Sequence, residues 1–321
     1  MTALSGQAPF RFFHRPDLSA LPQAVQAHEV DLHGGFAVDD RPNFGHIYYG
    51  MPNGGIMRID PDLQRQEVIA LPADLQAVNF HSTRIATFDG NRRLILPANN
   101  DELVAVLTLE GAIDFILPRP EFEAYTARPD LPFQPTDVAI DGDQLFVADG
   151  YGANYIVSAD VPTQQWTDFF GGHTIDPADN SKFGTAHGIT FDPFDHHLTI
   201  TDRLLSRIQI HAHDGTFLKS HKLLPDGIWP CGVQFMEWNG RTIAIVGCLL
   251  VDADDWSIPA PIYILDALTY EVLSVVRPKA DLNIELAQHL HNVIGHIHNG
   301  ELYLVCQAWN PGHYFVLQLQ N

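Results

Sequence analysis

The sequence predicts an all-β chain folded as a six-bladed propeller, and three observations lead there. Short β-type runs bounded by Gly, Pro, Asn and Asp succeed one another along all 321 residues. Apolar stripes at helical spacing are almost absent. The runs also recur as sets of four, opening at positions 33, 81, 136, 187, 231 and 291. The intervals are 44 to 60 residues, near the period at which four-stranded propeller blades repeat.

Taken in order, the first set has runs at 36–38, 46–49, 55–59 and 67–71, and the second at 85–88, 93–96, 103–107 and 113–117. The third opens on Pro135-Thr136-Asp137-Val138-Ala139 and the fourth on Ala186-His187-Gly188-Ile189. The fifth opens on Pro230-Cys231-Gly232-Val233, the sixth on Leu290-His291-Asn292-Val293. The last set has only three runs, at 291–298, 301–308 and 313–319. An N-terminal strand, from 10–13 or 24–30, is therefore expected to complete it and close the ring, which removes the exposed edges. No linker interrupts the pattern, so 1–321 reads as one domain, with segment 10–30 completing the sixth blade.

Composition narrows the function. A 45% hydrophobic fraction excludes disorder of the whole chain. With 39 acidic against 18 basic residues the net charge is −21, which repels phosphate backbones and anionic lipid. The expected partner is a small molecule, with no nucleic acid and no membrane; oligomeric state is left open. Cys231, Cys248 and Cys306 make neither a disulfide framework nor a C-x-x-C pair. The first residues lack the basic and apolar regions of a signal peptide, and no apolar run nears a membrane span, so a cytoplasmic location is expected.

Histidine stands out, at 17 residues, and four of the six set openings are histidine: His33, His81, His187 and His291. Inner strands line a propeller's axis, and alternate blades of six lie about 120° apart. His81, His187 and His291 open alternate blades, and three imidazoles converging with threefold symmetry suit a metal with open coordination positions. Zinc is the preferred ion, with iron or another divalent transition metal as alternatives. His33, His289, Cys231 and Asp202 are candidates for an added ligand or for supporting the ligands. His196, His197, His211, His213, His296 and His298 are expected at the surface.

Loops between second and third strands emerge on the same face. Among them, Tyr151 and Arg203 come from adjacent blades and can lean over the metal. A phenol beside a cation and a guanidinium is expected to ionise more readily than in water, which suits a general base. Arg203 also suits a carboxylate substrate, or with Asp202 simply staples blades. The loops at 252–256 and 309–313 are expected to shape the pocket.

Blade three, through Val147-Ala148-Asp149-Gly150-Tyr151, and blade four, through Thr201-Asp202-Arg203 and Ser206-Arg207-Ile208, resemble NHL repeats. More narrowly, residues 135–210 resemble the peptidyl-α-hydroxyglycine α-amidating lyase domain. That resemblance implies a six-bladed propeller with zinc on three histidines, at His81, His187 and His291, a catalytic tyrosine at Tyr151 and an arginine at Arg203. It also implies a structural calcium, and a reaction that splits a hemiaminal into an amide and glyoxylate. Two positions depart from it: the blade-one loop around Tyr48-Tyr49-Gly50 has no arginine, and Asn292 stands where the family has a calcium-binding aspartate.

The leading expectation is a metal-dependent lyase acting on a small hydroxylated anion. A hydratase, a lactone or ester hydrolase, or an iron oxygenase with His33 as fourth ligand is the alternative. Four axial histidines are similar to those of the carotenoid-cleaving oxygenases, which have seven blades. Gluconolactonase-type propellers use mainly carboxylate and amide ligands, which the histidine trio does not match. A protein-binding NHL platform without catalysis is the third reading.

Overall fold

Most middle strands of the four-run sets carry apolar residues on both faces, so they must be covered on both sides. Packing blade against blade does this. In Leu103–Thr108 the four central residues are all buried, and Ile47–Met51 and Arg207–His211 are buried throughout. Outer strands such as Phe217–Lys222 are mostly exposed. The computed structural model describes residues 2–42, 44–222, 228–250 and 260–320. They form six antiparallel sheets arranged as a six-bladed β-propeller.

Blade one comprises Gly34–Val38, Ile47–Met51, Gly55–Ile59 and Gln66–Ile69, from the axis outward. Blade two comprises Arg84–Phe88, Asn91–Ala98, Leu103–Thr108 and Ile113–Pro118. Blade three comprises Asp137–Asp141, Gln144–Ala148, Tyr155–Asp160 and Gln165–Gly171. Blade four runs Ala186–Phe191, Leu198–Asp202, Arg207–His211 and Phe217–Lys222. Blade five runs Ile228–Trp238, Arg241–Leu250, Ile262–Asp266 and Val272–Val276. Blade six has His289–His298, Glu301–Trp309 and His313–Leu319.

Blade six is completed by the N-terminal strand Phe10–His14, with Phe12 opposite Leu319. The other expected donor, 24–30, lies instead in the 3₁₀ helix Gln23–Asp31, whose Val25 packs under blades one and six. An unexpected fifth strand, Ser5–Gln7, pairs with Phe10–His14 and reaches blade five. There the Gln7 amide donates to Ser274 Oγ at 2.8 Å, and the Arg277 amide donates to Ser5 Oγ at 2.7 Å. Phe12 is fully buried in the core shared by blades five and six. Phe12→Ala is expected to cost about 3–5 kcal/mol of stability, read as a lower urea midpoint at unchanged slope.

Two histidines expected at the surface are buried. His211 ends a fully covered strand, stacks on Phe170 and bonds Gly215 O and Gln209 Oε1. His296 points into the cleft between blades six and one, where its Nε2 lies 2.6 Å from Pro61 O. Both fail the surface expectation because they lie inside or beside a sheet rather than in a turn. Cys231, Cys248 and Cys306 are buried free thiols. Among the described residues no helix is long and apolar enough to cross a membrane. The loop at 252–256 lies outside the described residues.

A histidine cluster at the mouth of the axial channel

The inner strands start at one face, and their first residues crowd the axis. His33, His81 and Thr136 sit just before the first residues of their strands, while His187 and His291 lie inside theirs. The rings of His33, His81 and His291 lie 4.3 to 4.7 Å apart, centre to centre. His187 adds a fourth ring, 4.8 Å from His81 and 5.0 Å from His291. All four rings are buried. One ring nitrogen from each of His33, His81 and His291 falls within 4.8 Å of the others, a spacing one ion can span. His33, expected as an auxiliary, therefore stands in this group, whereas His187, expected as the third ligand, brings its ring close but lies outside the three whose donor atoms share that span.

Repeat geometry also sets the tautomers. His81 Nδ1 lies 2.7 Å from the carbonyl oxygen of Thr136, and His187 Nδ1 lies 2.6 Å from that of Cys231. Those carbonyls belong to the residues that open the next blades, the two openings without histidine. A carbonyl only accepts, so each Nδ1 carries the hydrogen and each Nε2 keeps its lone pair, the form a metal ligand needs.

Blade six breaks the pattern. By repetition His291 should bond the carbonyl of His33, but the Asn292 amide nitrogen takes that carbonyl at 2.9 Å and lies 2.7 Å from His291 Nδ1. His291 Nδ1 then accepts, and the hydrogen sits on Nε2, a buried atom with no hydrogen-bond partner among the described residues. Ligation through Nε2 of His291 requires the Asn292 amide to turn its oxygen to Nδ1. His33 Nδ1 likewise lies 3.3 Å from the Asn79 amide nitrogen, which also donates to Asn99 Oδ1 at 3.0 Å.

Burial governs the charge. Desolvation, followed by Arg203, lowers His187, and desolvation followed by the neighbouring rings lowers His81 and His291 well below the usual range. His33 falls to about 4, mainly by burial. The rings are neutral near pH 7, as a donor set requires. The two fixed Nε2 lone pairs and the neutral rings fit a borderline divalent ion, and the buried orphan Nε2 of His291 can join them when the Asn292 amide turns.

Tyr151 reaches the cluster from blade three. Its Oη lies 3.1 Å from His81 Nε2 and 2.9 Å from His187 Nε2, and Arg203 Nη1 donates to it at 2.9 Å. The flanking glycines make this approach possible. A Cβ on Gly150 would stand 2.2 Å from Ala186 O, and one on Gly152 would stand 2.3 Å from Asp149 Oδ1. Asp149 anchors the loop by accepting from the Gln134 amide, the Ala153 amide and Tyr125 Oη. Without an ion, burial, the largest influence, raises the phenol above its usual range and Arg203 offsets only part of it; the easier ionisation expected of Tyr151 concerns the metal-bound site. The metal-free resting form is the phenol, which donates its one hydrogen to one of two facing imidazole lone pairs.

Three other candidates take different places. Asp202 turns away from the axis: its carboxylate accepts from the Gly184 and Thr185 amides and pairs with Arg207 at 2.8 Å. It secures blade four and leaves Arg203, next in sequence, to face the funnel. Cys231 presents its carbonyl to the cluster, not its thiol, which burial pushes up to about 12. His289 is buried opposite Trp309, and no ring contact joins it to the four among the described residues.

Above the cluster opens a funnel of about 640 Å³ lined by Asn53, Asn79, Asn99, Asn100, Trp229 and Trp309, with His33, Tyr151 and Arg203 at its floor. The Arg203 guanidinium lies over the rings of Tyr151 and Trp229, at 5.0 and 5.5 Å. Below, the channel narrows to about 30 Å³. Arg84 spans it, pairing with Asp137 and donating to the Val138 and Ile189 carbonyls, while Asp137 also accepts from Ser82 Oγ and the Ile189 amide. The wide end of the channel is thus the funnel side. Sequence reading assigned no role to Asn79, Asp137 or Arg84; the only sequence signal was their nearness to set openings.

Fold and site define a six-bladed propeller with a buried four-histidine cluster at the mouth of its axial channel. No protein-family model matches the chain, and no curated protein does. Among solved structures, a gluconolactonase from Xanthomonas campestris is similar over 100% of this chain and 96% of its own, with TM-score 0.64 and 10% identity. A chain of a mitotic checkpoint complex is similar over 98% of this chain and 84% of its own, with TM-score 0.51 and 12% identity. At those identities the likeness is one of fold.

Proposed function

We propose that the chain is a metal-dependent lyase acting on a small hydroxylated anion, with zinc as the preferred ion, held by His81, His187 and His291 and with His33 beside them. The observation that carries the reading is the meeting of Tyr151 Oη, two imidazole lone pairs and the Arg203 guanidinium within one hydrogen-bonded group. The ion, when bound, supplies Lewis acidity toward a substrate oxygen. Arg203 and the funnel amides bind the carboxylate and orient it. Tyr151 holds the proton exchanged between the substrate hydroxyl and the leaving atom. The narrow channel below, closed by Arg84 and Asp137, limits water behind the reacting carbon.

This keeps the machinery that the amidating-lyase resemblance implies while leaving the substrate broader than peptidyl-hydroxyglycine. The missing blade-one arginine argues for a smaller anion. The structural calcium that the resemblance implies is not part of this proposal, because Asn292 stands in place of an acidic ligand and its amide nitrogen donates to His33 O. Hydrolysis of a lactone, the substrate class in the name of the gluconolactonase neighbour, is the second reading. The row of amides at Asn53, Asn79, Asn99 and Asn100, suited to a polyhydroxy ring, favours it.

Elemental analysis of the purified chain is expected to find about one transition ion per axial site. Assaying small α-hydroxy carboxylates and lactones in ¹⁸O-labelled water then separates the two reactions. A lyase splits an α-hydroxy carboxylate into a carbonyl compound and a second product with no net uptake of water, whereas a hydrolase opens a lactone to one hydroxy acid that carries one label in its carboxylate per turnover. Absence of any metal after reconstitution with zinc, iron or cobalt would overturn both.

A further inference from the structure

On the face opposite the funnel, three side chains from two blades converge. Asp141 ends the inner strand of blade three, His196 sits in the turn after the inner strand of blade four, and His213 lies between that blade's third and fourth strands. His196 Nε2 is 3.2 Å from Asp141 Oδ1, and His213 Nδ1 is 3.6 Å from Asp141 Oδ2. Donor atoms of all three lie within 4.8 Å of one another.

The side chains are held in place. His196 stacks on Phe191 at 4.4 Å, and His213 packs on Phe191 at 5.1 Å and Phe146 at 5.5 Å. The Asp192 carboxylate accepts from the amides of Phe194, Asp195 and His197, which pins the turn and carries His196 at φ +56°.

The tautomer of His213 is the informative detail. Its Nε2 lies 2.9 Å from the backbone carbonyl oxygen of His196, which can only accept, so Nε2 carries the hydrogen. With Nε2 engaged by that carbonyl, Nδ1 is the ring atom left to face the carboxylate, at 3.6 Å, longer than a hydrogen bond, which leaves room for a cation held by both.

We propose that Asp141, His196 and His213 form a second site for a divalent transition ion, with zinc as the ion, that ties blade three to blade four and is independent of the axial cluster. Imidazole and carboxylate donors suit zinc and its neighbours at the upper end of the affinity series. Donors about 2.0–2.2 Å from a tetrahedral ion lie about 3.3–3.6 Å apart, which brackets or nearly matches both separations to Asp141.

The test titrates the chelator-treated full chain with zinc alone, by calorimetry. The wild type is expected to take up one more ion than His196→Ala/His213→Ala, and the axial variant His81→Ala/His187→Ala is expected to keep that extra ion. Zinc is also expected to raise the melting temperature of the axial variant, an effect lost with Asp141→Asn, which covers a double variant that does not fold. Equal uptake and affinity in wild type and the His196/His213 variant would overturn the proposal. So would an unchanged zinc effect on melting in Asp141→Asn placed in the axial variant. Neither outcome touches the axial reading, which rests on other residues and other variants.

Discussion

Replacing both His81 and His187 with alanine is expected to empty the axial site and to lower kcat/KM about a thousandfold or more, equivalent to about 4 kcal/mol of transition-state stabilisation. These are the two rings whose Nε2 lone pairs are fixed by backbone carbonyls 2.7 and 2.6 Å away. Removing them deletes the best-oriented donors. It also strands the carbonyl of Thr136, at about 1–3 kcal/mol if water does not reach it, whereas the Cys231 carbonyl keeps its Thr201 Oγ1 donor at 3.1 Å, so a lower melting temperature accompanies the loss. The single variant His187→Gln, which keeps a hydrogen-bonding group near Cys231 O, separates ligand loss from unfolding. Metal retained at wild-type level in a folded double variant, by elemental analysis, would refute the ligand assignment.

Tyr151→Phe is expected to lower kcat by about 10²–10⁴ with metal content unchanged. The ring fills the space between His81 and His187 either way; only the Oη is lost, together with its bonds to both imidazoles and to Arg203. Burial raises the phenol in the metal-free protein, and the role proposed for it is to carry and pass on a proton. A residue that merely wedges two rings apart would leave kcat intact in the phenylalanine variant while shifting stability. KM for a carboxylate substrate should move little, since Arg203 remains anchored through its amide to Thr185 O.

The propeller was legible because its signal is repeated. Six openings at near-regular spacing each specify a strand start, and errors at one blade are outvoted by the rest. The same repetition brought His81, His187 and His291 together on paper, and it explains why His33 belongs with them. Asp202 misled because a charged residue beside a functional loop reads the same whether it faces the axis or its own blade. Only the Arg207 partner and the Gly184 and Thr185 amides distinguish the two. His211 and His296 misled because side-chain burial in a blade depends on the neighbouring blade, which is distant in sequence.

Residue order alone determined the six-blade architecture, the closing strand drawn from the N-terminal segment and the axial address of the histidines. These follow from local periodicity, which a chain carries in every window. Tertiary structure alone decided which nitrogen of each ring is free, that Asn292 interrupts the carbonyl pattern at the seam between blades six and one, and that burial outweighs Arg203 at the Tyr151 phenol. Those outcomes depend mostly on hydrogen-bond partners 36 to 259 residues away, with Asn292 beside His291 as the exception, and on desolvation by packing. Neither has any counterpart in the spacing of residues along the chain.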